Sequence, residues 1–149
     1  MSMEKKYKGF LIFIVILIVI NLILWGFVSL AGESSLNLAN KSFKAKVYDD
    51  AITNYEKAIF ENGVDGLLLA KLGYSLEKTS SDDELMKMCY STAVSLFESN
   101  SETDTEWYKA AVFKVQQLNL SAISANEGVS EIKNYLREKN NLTFFETLS

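Results

Sequence analysis

The sequence predicts an all-α protein: an apolar N-terminal helix able to span a membrane, then a body of short amphipathic helices stacked in pairs. Three observations lead there. Residues 10–31 form an uncharged run of 22. The rest of the chain repeats apolar positions at a period near 3.6, punctuated by capping signals and short polar breaks. Finally, the 149 residues contain no proline, so no ring interrupts a helix.

The apolar run is interrupted only by Asn21, Gly26 and Ser29. At about 1.5 Å per residue it reaches roughly 33 Å, enough for a hydrocarbon core of about 30 Å. Tyr7 and Trp25 lie near its two ends, where amphipathic rings prefer the headgroups. Ser29-Leu30-Ala31 fits a signal-peptidase site, but a signal h-region runs to only roughly 7–15 residues, which favours a retained anchor. No cysteine stands directly after the run to carry a lipid. Lys5, Lys6 and Lys8 precede it and only Lys41 lies in the first ten residues after it, so the expected orientation is N-terminus inside, body outside. Asn21 at mid-span either bonds to another span, favouring a homo-oligomer, or is a tolerated lone amide. The chain thus divides into a basic cytoplasmic tail at 1–9, a transmembrane helix at 10–31 and a helical domain at 32–149.

Within the body, Ser81-Asp82-Asp83-Glu84, Thr103-Asp104-Thr105-Glu106 and Ser124-Ala125-Asn126-Glu127 each match the capping box S/T-x-x-E. Apolar stripes follow them: Met86, Cys89, Tyr90, Ala93 and Phe97; Trp107, Ala111, Val115 and Leu118; Val129, Ile132 and Leu136. Upstream, Leu36–Lys46, Asp49–Glu61 and Leu67–Lys78 read as three further helices. Six helices with short breaks between them form successive antiparallel pairs. Residues 140–149, with Leu142, Phe144, Phe145 and Leu148, form a tail expected to fold back on the last helices. A sticky peptide offered to a partner is the alternative.

Residues 48–59 place Ala51, Tyr55 and Ala58 on one helical face, where small residues let a neighbour close around a ring. Leu38-Ala39 and Leu72-Gly73 occupy equivalent positions in the preceding helix of successive units, and Trp107 with Ala111 opens a third. On these residues the body resembles the tetratricopeptide repeat (TPR) family, whose unit is a 34-residue helix–turn–helix. The resemblance implies a TPR-like α-solenoid of about three helix pairs, with repeats near 33–65, 66–100 and 104–139. Gly128 departs from the pattern, standing where the family has alanine, and no unit has the closing proline.

The resemblance further implies a concave groove, lined by the first helix of each pair, that takes a peptide or helix from a protein partner. The corresponding residues are Asn37, Asn40, Phe43 and Lys44; then Leu67, Ala70, Lys71, Tyr74 and Lys78; then Tyr108, Lys109 and Val112. Their amides, lysines and aromatics suit a segment of some acidic character. Asn40 and Lys109 match the family's chaperone-carboxylate clamp, but Leu36, Lys71 and Thr105 do not, so that ligand is not expected. Trp107 reads more simply as core.

Composition excludes other classes. Beyond Ala31 there are 12 basic and 18 acidic side chains, unsuited to phosphate neutralisation, so no nucleic acid is expected. Without histidine the commonest metal ligand and proton shuttle are missing. Asp49-Asp50 and Asp82-Asp83 suit helix N-termini better than a metal. Cys89 sits in an apolar stripe and has no partner for an internal disulfide. No catalytic, cofactor or metal residues, and no enzyme activity, are expected. Fourteen lysines against the single Arg137 suit an AT-rich bacterial genome.

The expected function is that of a membrane-anchored scaffold in a bacterial envelope complex, its body in the periplasm. Such a layout resembles TPR subunits of translocons, secretion systems and flagellar motor collars. An import receptor with a cytoplasmic body and an accessory subunit of a membrane enzyme are the alternatives.

Overall fold

The computed structural model describes residues 33–61, 63–121 and 123–146, with side chains up to Asn141. The expected span at 10–31, with Asn21, and the basic tail lie outside the described residues. No helix among the described residues is long and apolar enough to cross a membrane. The chain divides after Glu33, and six helices occupy the second unit: α1 (Ser35–Lys44), α2 (Tyr48–Glu61), α3 (Gly66–Thr79), α4 (Asp83–Ser99), α5 (Glu106–Gln117) and α6 (Ala125–Glu146). No strand occurs among the described residues, so the all-helical expectation holds there.

Local chemistry sets the ends. Ser34, Asp65, Asp82 and Thr105 each turn a side-chain oxygen onto an otherwise unpaired N–H of the first turn. Two caps therefore lie inside the expected boxes, at Asp82 instead of Ser81 and at Thr105 instead of Thr103. At the third box Ser124 Oγ accepts from the Glu127 N–H, as capping requires, and its hydroxyl donates to the Glu127 carboxylate. At the C-terminal ends Lys46, Ser80, Ser101 and Asn119 adopt left-handed conformations, with φ of 62°, 50°, 59° and 55°. Glycine usually fills that place, and here none does.

Helices α1 and α2 pair antiparallel: Glu61 accepts from the Ser35 backbone and hydroxyl, and Asn40 accepts from Tyr55. Ala51, Tyr55 and Ala58 are completely buried, as the small–aromatic–small face requires. Helices α3 and α4 pair likewise. A β-carbon on Gly66 would meet the Phe97 ring at 2.8 Å, and one on Gly73 the Tyr90 ring at 3.3 Å, so glycine permits both approaches. Leu69, Leu72, Leu76 and Leu85 fill the interior. Each contributes about 1.5–3 kcal/mol by leaving water.

The third pair does not close. Helix α5 packs on α4 and α3, whereas α6 packs on α4 and reaches α2. Contacts of Gly128 with Thr92, Ile123 with Ser95 and Tyr135 with Asp82 run in opposite directions along the two chains, so α6 lies antiparallel to α4. Gly128 is the crossing point. A β-carbon there would come within 2.8 Å of the Thr92 and Ile123 methyls. Glycine at 128 thus permits the close crossing of α6 on α4. Ile132 and Leu136 bury its apolar stripe. Helix α6 then continues to Glu146, so residues 140–146 prolong it and do not fold back.

Candidate interaction face

Where the first helices meet, five aromatic rings converge. Phe43, at the end of α1, lies edge-on to Tyr48, Tyr55, Tyr74 and Trp107, with centroids 6.0, 6.3, 5.7 and 5.7 Å away. Tyr74 in α3 contacts Tyr48 at 5.9 Å and Trp107 at 6.0 Å. Such spacings favour edge-to-face attraction, worth about 0.5–1.5 kcal/mol per pair beyond burial. Tyr55 is the buried floor, and the other four rings are half-buried. The cluster therefore belongs to both core and surface.

Basic groups surround it. Lys71 Nζ lies 5.8 Å from the Phe43 centroid and Lys78 Nζ 5.1 Å from that of Tyr74. Lys71 also donates to Asn40 Oδ1 at 2.8 Å, the atom that accepts from Tyr55 at 3.0 Å. Burial lowers the Lys71 ammonium below its ordinary range, and repulsion from Lys44 lowers it further, against the pull of Asp65. Burial, then the neighbouring Tyr74, raise the Tyr48 hydroxyl.

Of the residues expected to line the groove, Asn40, Phe43, Lys71, Tyr74 and Lys78 come together here. Lys44 is exposed beside them. Asn37 is exposed in the first turn of α1, and Leu67 is 38% exposed at the start of α3. Ala70 is fully buried and presents nothing to a ligand. Tyr108 turns instead to the α4 terminus, its ring 6.1 Å from Phe97 and its hydroxyl donated to Glu98 at 3.1 Å. Lys109 is exposed and pairs with Glu106 at 3.2 Å, while Val112 is half-buried.

Two contributors were not expected on this face. Tyr48 is not among the residues expected to line the groove, yet the three-residue connection 45–47 brings it against Phe43. Trp107 is not wholly core. A nearby signal existed in the closeness of Phe43 and Tyr48 across a short break.

Hollows adjoin the helices among the described residues. One, of about 60 Å³, lies among Leu36, Asn40, Asp65, Leu67, Leu68 and Lys71. A larger cleft, of about 520 Å³, separates the C-terminal ends of α3 and α5 from the start of α4, with Glu77, Asp83, Lys87 and Lys114 on its walls. Among the described residues no three His, Cys, Asp or Glu side chains gather to hold a metal. No family model, curated protein or solved structure matches this chain significantly. The Cys89 thiol is enclosed, and burial pushes its pKa up, so it carries no nucleophile at neutral pH.

Proposed function

We propose that this chain is a membrane-anchored adaptor of TPR type, which holds a segment of a partner protein against the shared face of α1, α3 and α5. The observation that carries the reading is the half-buried aromatic cluster assembled from those helices and the start of α2. Rings left partly open and ringed by cations are suited to anchoring a side chain from outside, since aromatic anchors dominate interface energies. Two helix hairpins, α1 with α2 and α3 with α4, support the repeat reading. Their small residues, Ala51, Ala58 and Gly73, sit at close helix approaches. The uncharged run at 10–31 supports the anchor, and the lysine bias supports an extracytoplasmic body in a bacterial envelope complex.

A photo-crosslinking residue placed at Lys78, in the full-length chain in native membranes, tests the face. A defined adduct from position 78 and none from Glu131, on α6, is the expected result. Adducts from 131 alone would move the interface to α6. Protease accessibility of the body in intact spheroplasts tests the topology separately: protection without opening the outer face of the membrane would reverse it.

A further inference from the structure

Charge is sorted between the two helix layers. Helices α1, α3 and α5 carry six lysines against Glu77 and Glu106, a net +4. Helices α2, α4 and α6 carry eleven acidic and five basic residues, a net −6. The composition of the whole chain, at −4, hides this separation. Both glutamates of the basic layer are already engaged, Glu77 by Lys114 and Glu106 by Lys109. Among the described residues, Lys44, Lys71 and Lys78 have no carboxylate at ion-pair distance. The neighbouring Asp65 is committed to the start of α3, where it accepts from the Leu68 N–H at 2.7 Å.

Lys71 and Lys78 border the aromatic cluster, and Lys44, next in sequence to Phe43, is near enough to Lys71 to repel it. Lys71 is held in place by Asn40 and by the Phe43 ring, so its ordering is not deferred until a ligand arrives. Lys44 and Lys71 repel each other across α1 and α3, and an anion between them removes that repulsion. A cationic partner would add to it.

We propose that the occupant of this face is an acidic segment of a partner protein, its carboxylates meeting Lys44, Lys71 and Lys78 and its apolar side chains lying on Phe43, Tyr74 and Trp107. The proposal rests on the docking face argued above and names its ligand chemistry. Charge complementarity steers the encounter and excludes basic partners, while the rings supply the anchor.

Three labelled peptides of about twelve residues, with the same apolar positions and Glu, Gln or Lys at the others, test it by fluorescence anisotropy. The probe target is the full chain in neutral detergent micelles. The Glu peptide is expected to bind about tenfold tighter than the Gln peptide at low salt, from a few exposed pairs acting together. That advantage should shrink between 50 and 200 mM salt, as exposed charges are screened over about 8–10 Å. K44E/K78E, at two exposed positions, should abolish the preference, and E131K on α6 should leave it intact. Equal, salt-insensitive binding of the Glu and Gln peptides overturns the acidic ligand and leaves the docking face standing. No binding of any peptide overturns both. Binding of K44E/K78E-sensitive chains to phosphatidylglycerol vesicles, with no response to the Glu peptide, assigns the lysines to a lipid surface and overturns the proposal.

Discussion

The Tyr135 hydroxyl donates to both oxygens of the Asp82 carboxylate, at 3.0 and 3.2 Å, tying the last helix to the start of α4. Asp82 also caps α4 by accepting from the Leu85 N–H at 3.0 Å, and it accepts from Lys139 at 3.2 Å. Lys139 reaches Glu56 on α2 as well, again at 3.2 Å, so a single cation closes α6 over both outer helices. One carboxylate thus serves a helix terminus and a tertiary contact.

Asp82→Ala removes all of these roles together. It should cost about 2–3 kcal/mol, since a cap contributes about 1 kcal/mol and bonds to a charged acceptor about 1.5 kcal/mol or more. Tyr135→Phe removes only one donor and should cost about 1 kcal/mol. Asp82→Asn keeps a capping oxygen and should fall between them. Urea unfolding midpoints rank the three variants, and an Asp82→Ala cost no greater than that of Tyr135→Phe would falsify the shared role.

Gly128→Ala tests the crossing of α6 and α4. The new methyl meets the Thr92 and Ile123 methyl carbons at 2.8 Å and comes closer still to Thr92 Oγ1. Overpacking of this kind costs about 1–3 kcal/mol. Thr92 Oγ1 is also buried without a hydrogen-bond partner, so trimming it removes an unfavourable group together with the clash. Thr92→Ala should therefore recover part of the Gly128→Ala loss. If the two changes simply add in thermal denaturation, the contact is looser than the structure has it.

Helices α1 to α4 were legible because their packing is local. Ala51, Tyr55 and Ala58 declare a face by spacing alone, and the partner of each helix is its neighbour in sequence. The placement of α6 was not legible. Capping at Ser124 and the stripe Ile132–Leu136 announce a helix but carry no information on which neighbour it covers. Gly128 looked like a defect in a repeat because its reason lies at Thr92, far away in sequence. The convergence of side chains at the candidate face was legible for the first-helix residues Phe43, Lys71 and Tyr74. Ala70 is enclosed in the core and Tyr108 bonds to Glu98 at the α4 terminus, placements set by neighbouring helices that helical spacing does not announce. Trp107 and Tyr48 straddle core and surface, a distinction that residue type does not make.

Asn40 looks like a ligand contact from sequence, yet its Oδ1 accepts from the buried Tyr55 hydroxyl and from Lys71. Asn40→Ala leaves both donors without that acceptor and should cost about 1–3 kcal/mol of stability. Lys78→Ala, exposed and bonded to nothing but a ring face, should cost about 0.5 kcal/mol or less. Partner capture should fall for both, but only Asn40→Ala should lower the melting temperature. A thermally silent Asn40→Ala would make the residue a contact in its own right.

Alkaline pH should unfold this domain more readily than its charge suggests. Burial pushes the Tyr55 and Tyr90 hydroxyls far above their ordinary range, with Asp65 adding to the first and Glu77 to the second. Burial, then Glu56 and Asp82, do the same to the Cys89 thiol. Lys139 is raised too, for although burial lowers it, Glu56 and Asp82 outweigh that effect. All four groups hold their protons more tightly folded than unfolded. Each therefore contributes stability that is complete below its unfolded pKa and is lost as pH rises past it. The unfolded values are about 8.5 for cysteine, about 10 for tyrosine and about 10.4 for lysine. The melting temperature should begin to fall near pH 8.5 and fall more steeply above pH 10. Cys89→Ala should delay the onset to about pH 10, because the first group to release its proton on unfolding is then absent. On the acid side burial alone would raise the Glu77 carboxyl, but bonds from Lys114 and Tyr90 bring it below its ordinary range. Its contribution is present above about pH 4.3 and fades as pH falls through the lowered value. A melting temperature constant from pH 8 to pH 11 would mean that Tyr55, Tyr90 and Cys89 meet water in the folded chain, contrary to their burial here.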